Sequence, residues 1–204
     1  LWPFSGGSGG ADATIGSLRR KAPEAELRTT VPDGGNRARE EYQQFLALPG
    51  TPGDMRAQSM RRLADLYLAA GEEADAAADV AASEAAFRRA IDLYGQYLAE
   101  FPGRSGADGV LYSLSRAREG VGDAPAALAV LDQLVRDYPQ SSVAPEAQFR
   151  RGERLFLLRD YAGAERAYAA VIAAGETGAF YEQALYKKGW TLFKLGGHEE
   201  CLDP

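Results

Sequence analysis

The sequence predicts an all-α chain, a solenoid of antiparallel helix hairpins, and three observations predict it. The first is a repeat. YKKGWTLFKLGGHEECL at 186–202 matches FRRGERLFLLRDYAGAE at 149–165 at an offset of 37, with Phe149 on Tyr186, Gly152 on Gly189, Leu155 on Leu192 and Phe156 on Phe193. The offset runs backwards too: Tyr112 falls on Phe149, Asp123 on Asp160, Ala127 on Ala164, Leu134 on Val171, and Ala90 on Ala127. A period in the range of about 20–50 residues marks stacked supersecondary units, none of which can bury its apolar face alone. The second observation is composition: 46% of residues are apolar, yet Val, Ile and Thr together supply only 17. Alanine is the strongest helix former, whereas strands draw on β-branched side chains. The third is punctuation, since Gly, Pro and Asp recur between the apolar-periodic segments where helices stop and restart.

Residues 1–35 carry the runs SGGSGG and DGG and prolines at 3, 23 and 32, and are expected to form a mostly irregular Gly/Pro-rich linker. From Asn36 the pattern turns helical, with Ala38, Tyr42, Phe45 and Leu46 on one face and Pro49-Gly50 as the stop. Asp54 to Ala70 follows, with Met60, Leu63, Ala64, Tyr67 and Leu68 inward and Gly71 as its expected end. Equating Gly71 with Gly122 gives an offset of 51, so fourteen residues are inserted near 73–86. That stretch holds no Gly or Pro, and the expectation is that it lengthens the second helix, 72–94, by about 21 Å at 1.5 Å per residue. Helices at about 106–120, 124–138, 143–158, 162–174 and 179–195 complete the series. The last opens a hairpin whose second half is only begun, so 36–204 reads as a solenoid with an incomplete final repeat.

Charge and motif content narrow the function. The net charge of −6 is spread as mixed signs, with no basic field for nucleic-acid phosphates. Cys201 is the only cysteine, so neither an internal disulfide nor a zinc-ligand spacing is available. No apolar run reaches the roughly 18 residues that span a bilayer. The opening LWPFSGGSGGADA lacks the features of a secretory signal, and the missing initiator Met implies that sequence precedes Leu1. In HEEC, 198–201, His198 and Cys201 invite a nucleophile reading, but Cys201 takes the small-residue slot of Ala127 and Ala164, where a buried thiol is inert. No cofactor, metal site or catalytic group is implied.

Counting from Gly152, Ala164 lies 12 on, Tyr168 16 on and Val171 19 on, and Pro139 follows Ala127 by 12. With a small residue and an aromatic in the first helix and Ala early in the second, this pattern resembles the tetratricopeptide repeat over about residues 36–204. It departs from it in a 37-residue unit where 34 is usual, in Gln148 or Leu185 where Trp is usual, and in Ala64 or Ser115 in the glycine place. The resemblance implies a right-handed solenoid whose first helices line a concave groove. Carried over by position, it puts Glu146, Phe149, Arg150 and Glu153 of one repeat, and Gln183, Tyr186, Lys187 and Trp190 of the next, on that groove. The doublets of FRRG and YKKG, echoed in MRRLA, read either as a solvated charged face or as a cationic ladder for an acidic segment.

YPQSSVAPEAQFRRGERLF is similar to the subclass of bacterial cell-envelope proteins that includes the outer-membrane barrel-assembly lipoprotein and the Tol-Pal partner. AQSMRRLADLY and LYKKGWTLFKLG resemble large many-repeat envelope proteins, of which this chain would be an N-terminal piece. The implied function is a non-catalytic scaffold that binds a protein or peptide segment in a periplasmic or outer-membrane-associated complex. The alternatives are a spacer module with no groove ligand of its own and a non-catalytic segment of a larger enzyme. The unfinished last repeat also suggests self-association.

Overall fold

The computed structural model describes residues 34–196, and among them there are eight helices and no strand. They are α1 (Gly34–Ala47), α2 (Gly53–Ala76), α3 (Val80–Glu100), α4 (Ala107–Gly120), α5 (Ala124–Asp137), α6 (Ala144–Leu157), α7 (Tyr161–Ala173) and α8 (Tyr181–Leu195). Each packs chiefly on its neighbours in sequence from α2 onward, and the first helices α2 and α4 also meet directly. The hairpins are therefore α2–α3, α4–α5 and α6–α7, with α8 as the first helix of a further unit. The result is the all-α solenoid that the 37-residue period predicts.

One turn design joins each hairpin. The residue before the second helix is Asp79, Asp123 or Asp160, and its carboxylate accepts a hydrogen bond from the backbone N–H three residues on, at 3.1, 3.2 and 2.9 Å. Such a side-chain cap satisfies one of the otherwise orphaned donors of the first turn. The residue before each Asp is left-handed: Ala78 at φ 59°, Gly122 at 76° and Arg159 at 63°. Between repeats, Gly103 and Gly106 take positive φ in the FPGRSG connector, which ends α3 and starts α4.

The insertion is distributed differently from the sequence expectation. Gly71 does not end a helix; α2 runs five residues past it, whereas α4 stops two residues before the equivalent Gly122. The second helix α3 begins ten residues before Ala90, whereas α5 begins three before the equivalent Ala127. The fourteen extra residues thus add seven to each helix, and the hairpin projects two further turns, about 10 Å, rather than one helix projecting about 21 Å. The physical reason lies in Gly71 itself. A Cβ there would sit 2.6 Å from the Phe87 ring, so the glycine serves close helix contact, and the Ala78–Asp79 turn does the stopping.

The core is a string of small clusters. One joins α2, α3 and α4 around Met60, Phe87, Tyr94 and Leu114, the next joins α4, α5 and α6 around Leu111, Leu131 and Leu134, and the third joins α6, α7 and α8 around Leu155, Tyr168 and Val171. Leu98 and Val130 touch both of the first two. Repeat-equivalent positions share a role: Ala90, Ala127 and Ala164 are fully buried, as are Tyr94, Leu131 and Tyr168 four residues later. The small residue lets the helices approach, and the large one fills the space so made. In α6 the glycine completes this, because a Cβ on Gly152 would meet the Tyr168 ring at 2.6 Å. Helix α1 buries no residue fully. It is held by Leu46 on the first cluster, by a Gln43–Tyr67 hydrogen bond of 2.6 Å, and by Arg56, which donates to the Leu46 carbonyl and to Glu100.

Candidate functional site: the face shared by the first helices

The first helices α2, α4, α6 and α8 are tied to one another by polar side chains. Arg116 of α4 bonds to Glu72 of α2. Tyr112 of α4 donates its hydroxyl to Glu146 of α6 and accepts from Arg150 Nε at 2.8 Å. Arg150 also pairs with Glu146 one turn back at 3.2 Å and reaches Glu119 of α4 at 3.7 Å, and Arg154 holds the same Glu119 at 3.0 Å. Lys187 of α8 pairs with Glu153 of α6 at 3.2 Å. Each successive first helix thus reaches back to the one before.

The basic doublets divide this work. Their first members, Arg150 and Lys187, bind carboxylates on the preceding first helix, whereas their second members, Arg151 and Lys188, bind Asp132 and Glu165 on the preceding second helix at 2.5 and 3.3 Å. Neighbouring positions on a helix lie about 100° apart, so one doublet faces both elements of the repeat before it. Of the echoing pair in MRRLA, Arg61 lies 3.9 Å from Asp65 one turn on.

Electrostatics follow from burial. Tyr112 is partly desolvated and its hydroxyl is bonded to Glu146, and together these push its phenol up to about 12. Burial likewise raises Tyr94, whose hydroxyl donates to Asp65 at 2.7 Å, and Tyr168. Asp108 moves the other way, held low by the hydroxyl of Ser141.

The structure separates the sequence-predicted residues into three groups. Glu146, Arg150, Glu153 and Lys187 lie on the first-helix face, half-exposed and already ion-paired. Phe149 is packing: its ring stacks on Phe180 at 5.3 Å and tilts against Tyr168 at 5.8 Å. Phe156 packs edge-on against Tyr161 at 5.2 Å. Gln183, Tyr186 and Trp190 are exposed, Tyr186 by 65% and Trp190 by 46%. Tyr186, Trp190 and Phe193 meet edge to face in series, and with Leu185 they line a shallow open cleft along α8. His198 and Cys201 lie outside the described residues, within which there is no cluster of three metal-ligating side chains and no helix long and apolar enough to cross a membrane. The site also includes Glu119 and Arg154, which repeat position alone does not single out. Arg150 and Arg154 stand four apart on one helical face, a spacing that could have flagged a shared acceptor.

Comparisons with known proteins place the chain in a class. Residues 110–141, which span α4 and α5, match the tetratricopeptide repeat family. The fold is similar to the nearly identical TPR-like repeats assigned to a Podosopora anserina kinesin light chain, at 14% identity and TM-score 0.58, with 82% of this chain and 81% of that one covered. It is similar to the apo form of RapI at 10% identity and TM-score 0.58, over 84% of this chain and 47% of that one. MamA matches at 14% identity and TM-score 0.50, over 82% and 87%. No curated protein matches the sequence. The class defined by the fold and the first-helix face is thus the helical-repeat scaffold, a type of fold that generally serves protein–protein interaction. Within it, the chain carries a tetratricopeptide repeat at residues 110–141 in a fold similar to TPR-like repeats.

Proposed function

We propose that the protein is a non-catalytic scaffold whose first-helix face binds an extended, acidic segment of a partner protein. The observation that carries this reading is the row of half-exposed cations, Arg150, Arg154 and Lys187, each held by a carboxylate in a pair that a ligand carboxylate can replace in kind. The exposed Tyr186 and Trp190, one turn apart on α8, offer the adjoining apolar contact that anchors such segments. Glu146, Phe149, Arg150 and Glu153 would form one half of the site, and Gln183, Tyr186, Lys187 and Trp190 the other. Phe149 would contribute by supporting the surface from below.

The similarity of YPQSSVAPEAQFRRGERLF to envelope repeat proteins supports a periplasmic or outer-membrane-associated complex. Fractionation of cells that express the native gene tests this part, and recovery in the cytosol alone would overturn it.

The binding reading is tested with Lys187→Ala and Trp190→Ala in a pull-down from native envelope extract, with thermal melting in parallel. Loss of a partner with little change in melting supports the groove. Retention of every partner by both variants favours the spacer reading instead. Arg150 is a poorer probe, since its replacement strips partners from Glu119, Glu146 and Tyr112 and lowers stability for that reason alone.

A second reading rests on α8. Tyr186 and Gly189 are the equivalents in α8 of Phe149 and Gly152, which Tyr168 of α7 covers, and Tyr186 is exposed beside Leu185 and Trp190. A further helix, from a following repeat or a second copy, would cover this face in the same way. Sedimentation over a concentration series tests the second copy: a monomer at all concentrations excludes it.

A further inference from the structure

The first and third repeats bring three equivalent positions together and bond them differently. In the first, the buried Tyr94 hydroxyl donates to Asp65 of α2 at 2.7 Å, with Ser113 of α4 on its other side. In the third, the repeat offset puts Tyr168 in the place of Tyr94, Glu153 in that of Asp65 and Lys187 in that of Ser113. Serine is neutral and leaves one Asp65 oxygen to the tyrosine, while the other lies 3.9 Å from Arg61 of the same helix. Lysine is a cation, and Glu153 turns to it at 3.2 Å. Tyr168 is then 0% exposed, and its hydroxyl finds no hydrogen-bond partner among the described residues. An orphaned buried hydroxyl is destabilising, and a carboxylate is the acceptor that its counterpart uses. The Tyr168 ring lies against Gly152, the residue next to Glu153, so the two are neighbours already.

We propose that the Glu153 carboxylate has two stations, Lys187 on the groove side and the Tyr168 hydroxyl in the repeat core, and that whatever draws Lys187 away sends Glu153 to Tyr168. Occupancy at Lys187 is thereby coupled to the polar satisfaction of the third repeat, through a side-chain rotation with no change of fold. The coupling needs no particular ligand and stands whether or not an acidic segment binds the groove. Its consequence for any anion captured by Lys187 is a reduced cost of breaking the Lys187–Glu153 pair, because the freed carboxylate gains a second donor.

The test is a thermal cycle on the full chain. Tyr168→Phe alone should leave the melting temperature unchanged or raise it, since it deletes a hydroxyl that has no partner. In a Lys187→Met background, which keeps the aliphatic stem, the same change should lower it by about 2–4 °C, the shift expected for about one hydrogen bond in a chain of this size. Tyr94→Phe should lower it in both backgrounds. A Tyr168→Phe loss that is equal in the two backgrounds, or absent from both, would overturn the proposal. The Tyr168 Cζ resonance, assigned by its disappearance in Tyr168→Phe, gives a second readout: Lys187→Met should move it to the hydrogen-bonded range of Tyr94, and an unmoved resonance excludes the second station.

Discussion

Gly71, Gly152 and Gly95 are all helical glycines, and only their surroundings distinguish them. At Gly71 and Gly152 an aromatic ring fills the space a Cβ would take, whereas at Gly95 nothing lies within 4 Å. Replacing a helix-interior glycine by alanine gains about 0.5–1 kcal/mol from the unfolded chain and from helix propensity, while forcing an extra methyl into a packed core costs about 1–3. Gly95→Ala should therefore raise stability and Gly152→Ala lower it by about 1 kcal/mol, because the Tyr168 ring is fully buried and has nowhere to move. Denaturant titration of both variants checks the difference in sign. Tyr112 supplies a pH effect. Its phenol is raised, so the stabilisation is fully present below the unfolded value of about 10 and is lost as pH rises through about 12. Tyr112→Phe should flatten part of the alkaline loss, measured by urea midpoints at pH about 9 and about 11; parallel losses in the two proteins would refute this assignment.

Among the elements, helix boundaries were readable from sequence because caps are local. Asp123 and Asp160 start α5 and α7 where the apolar period restarts, and the predicted spans of all helices from α4 onward agree with the observed ones to within about two residues. The division of the insertion was not readable, since a glycine that stops a helix and one that admits a neighbouring ring look alike in one dimension. The partners of the residues on the first-helix face were likewise hidden. That Arg150 and Lys187 share a repeat position is legible, but which carboxylate each reaches depends on side-chain geometry across helices. Repeat position alone points Phe149 to the groove, and only the Phe180 ring stacked on it reveals packing. The hairpin turns carry a prediction of their own. Ala78 and Gly122 occupy the same left-handed place, which costs a residue with a Cβ about 1–2 kcal/mol. After the extra chain entropy of glycine, Ala78→Gly should stabilise by about 0.5–1 kcal/mol and Gly122→Ala should destabilise by a similar amount. Melting of the two variants in the same direction would show that the turns are not equivalent.

For the whole molecule, stability should be distributed rather than global. Each cluster joins only adjacent helices, so opening one end leaves the rest largely intact. Helix α1 has no fully buried residue and α8 has only Ala184 and Thr191, whereas α3 and α4 supply most of the first cluster. Amide exchange should be slowest in α3–α5 and faster by an order of magnitude or more in α1 and α8, each decade reflecting about 1.4 kcal/mol of local stability. Uniform protection from α1 to α8 would show a single cooperative unit instead.

The two-turn projection of the α2–α3 hairpin has a bearing on registration. A ruler whose marks are all alike measures intervals but cannot report position, and a repeat array presents the same difficulty to an elongated partner, which can slide by one unit and find similar contacts. One lengthened hairpin breaks that translational degeneracy. A partner that touches both the projecting tip and the first-helix face meets the array in one frame only, because a shift of 37 residues would carry the tip contact to a place where no tip exists.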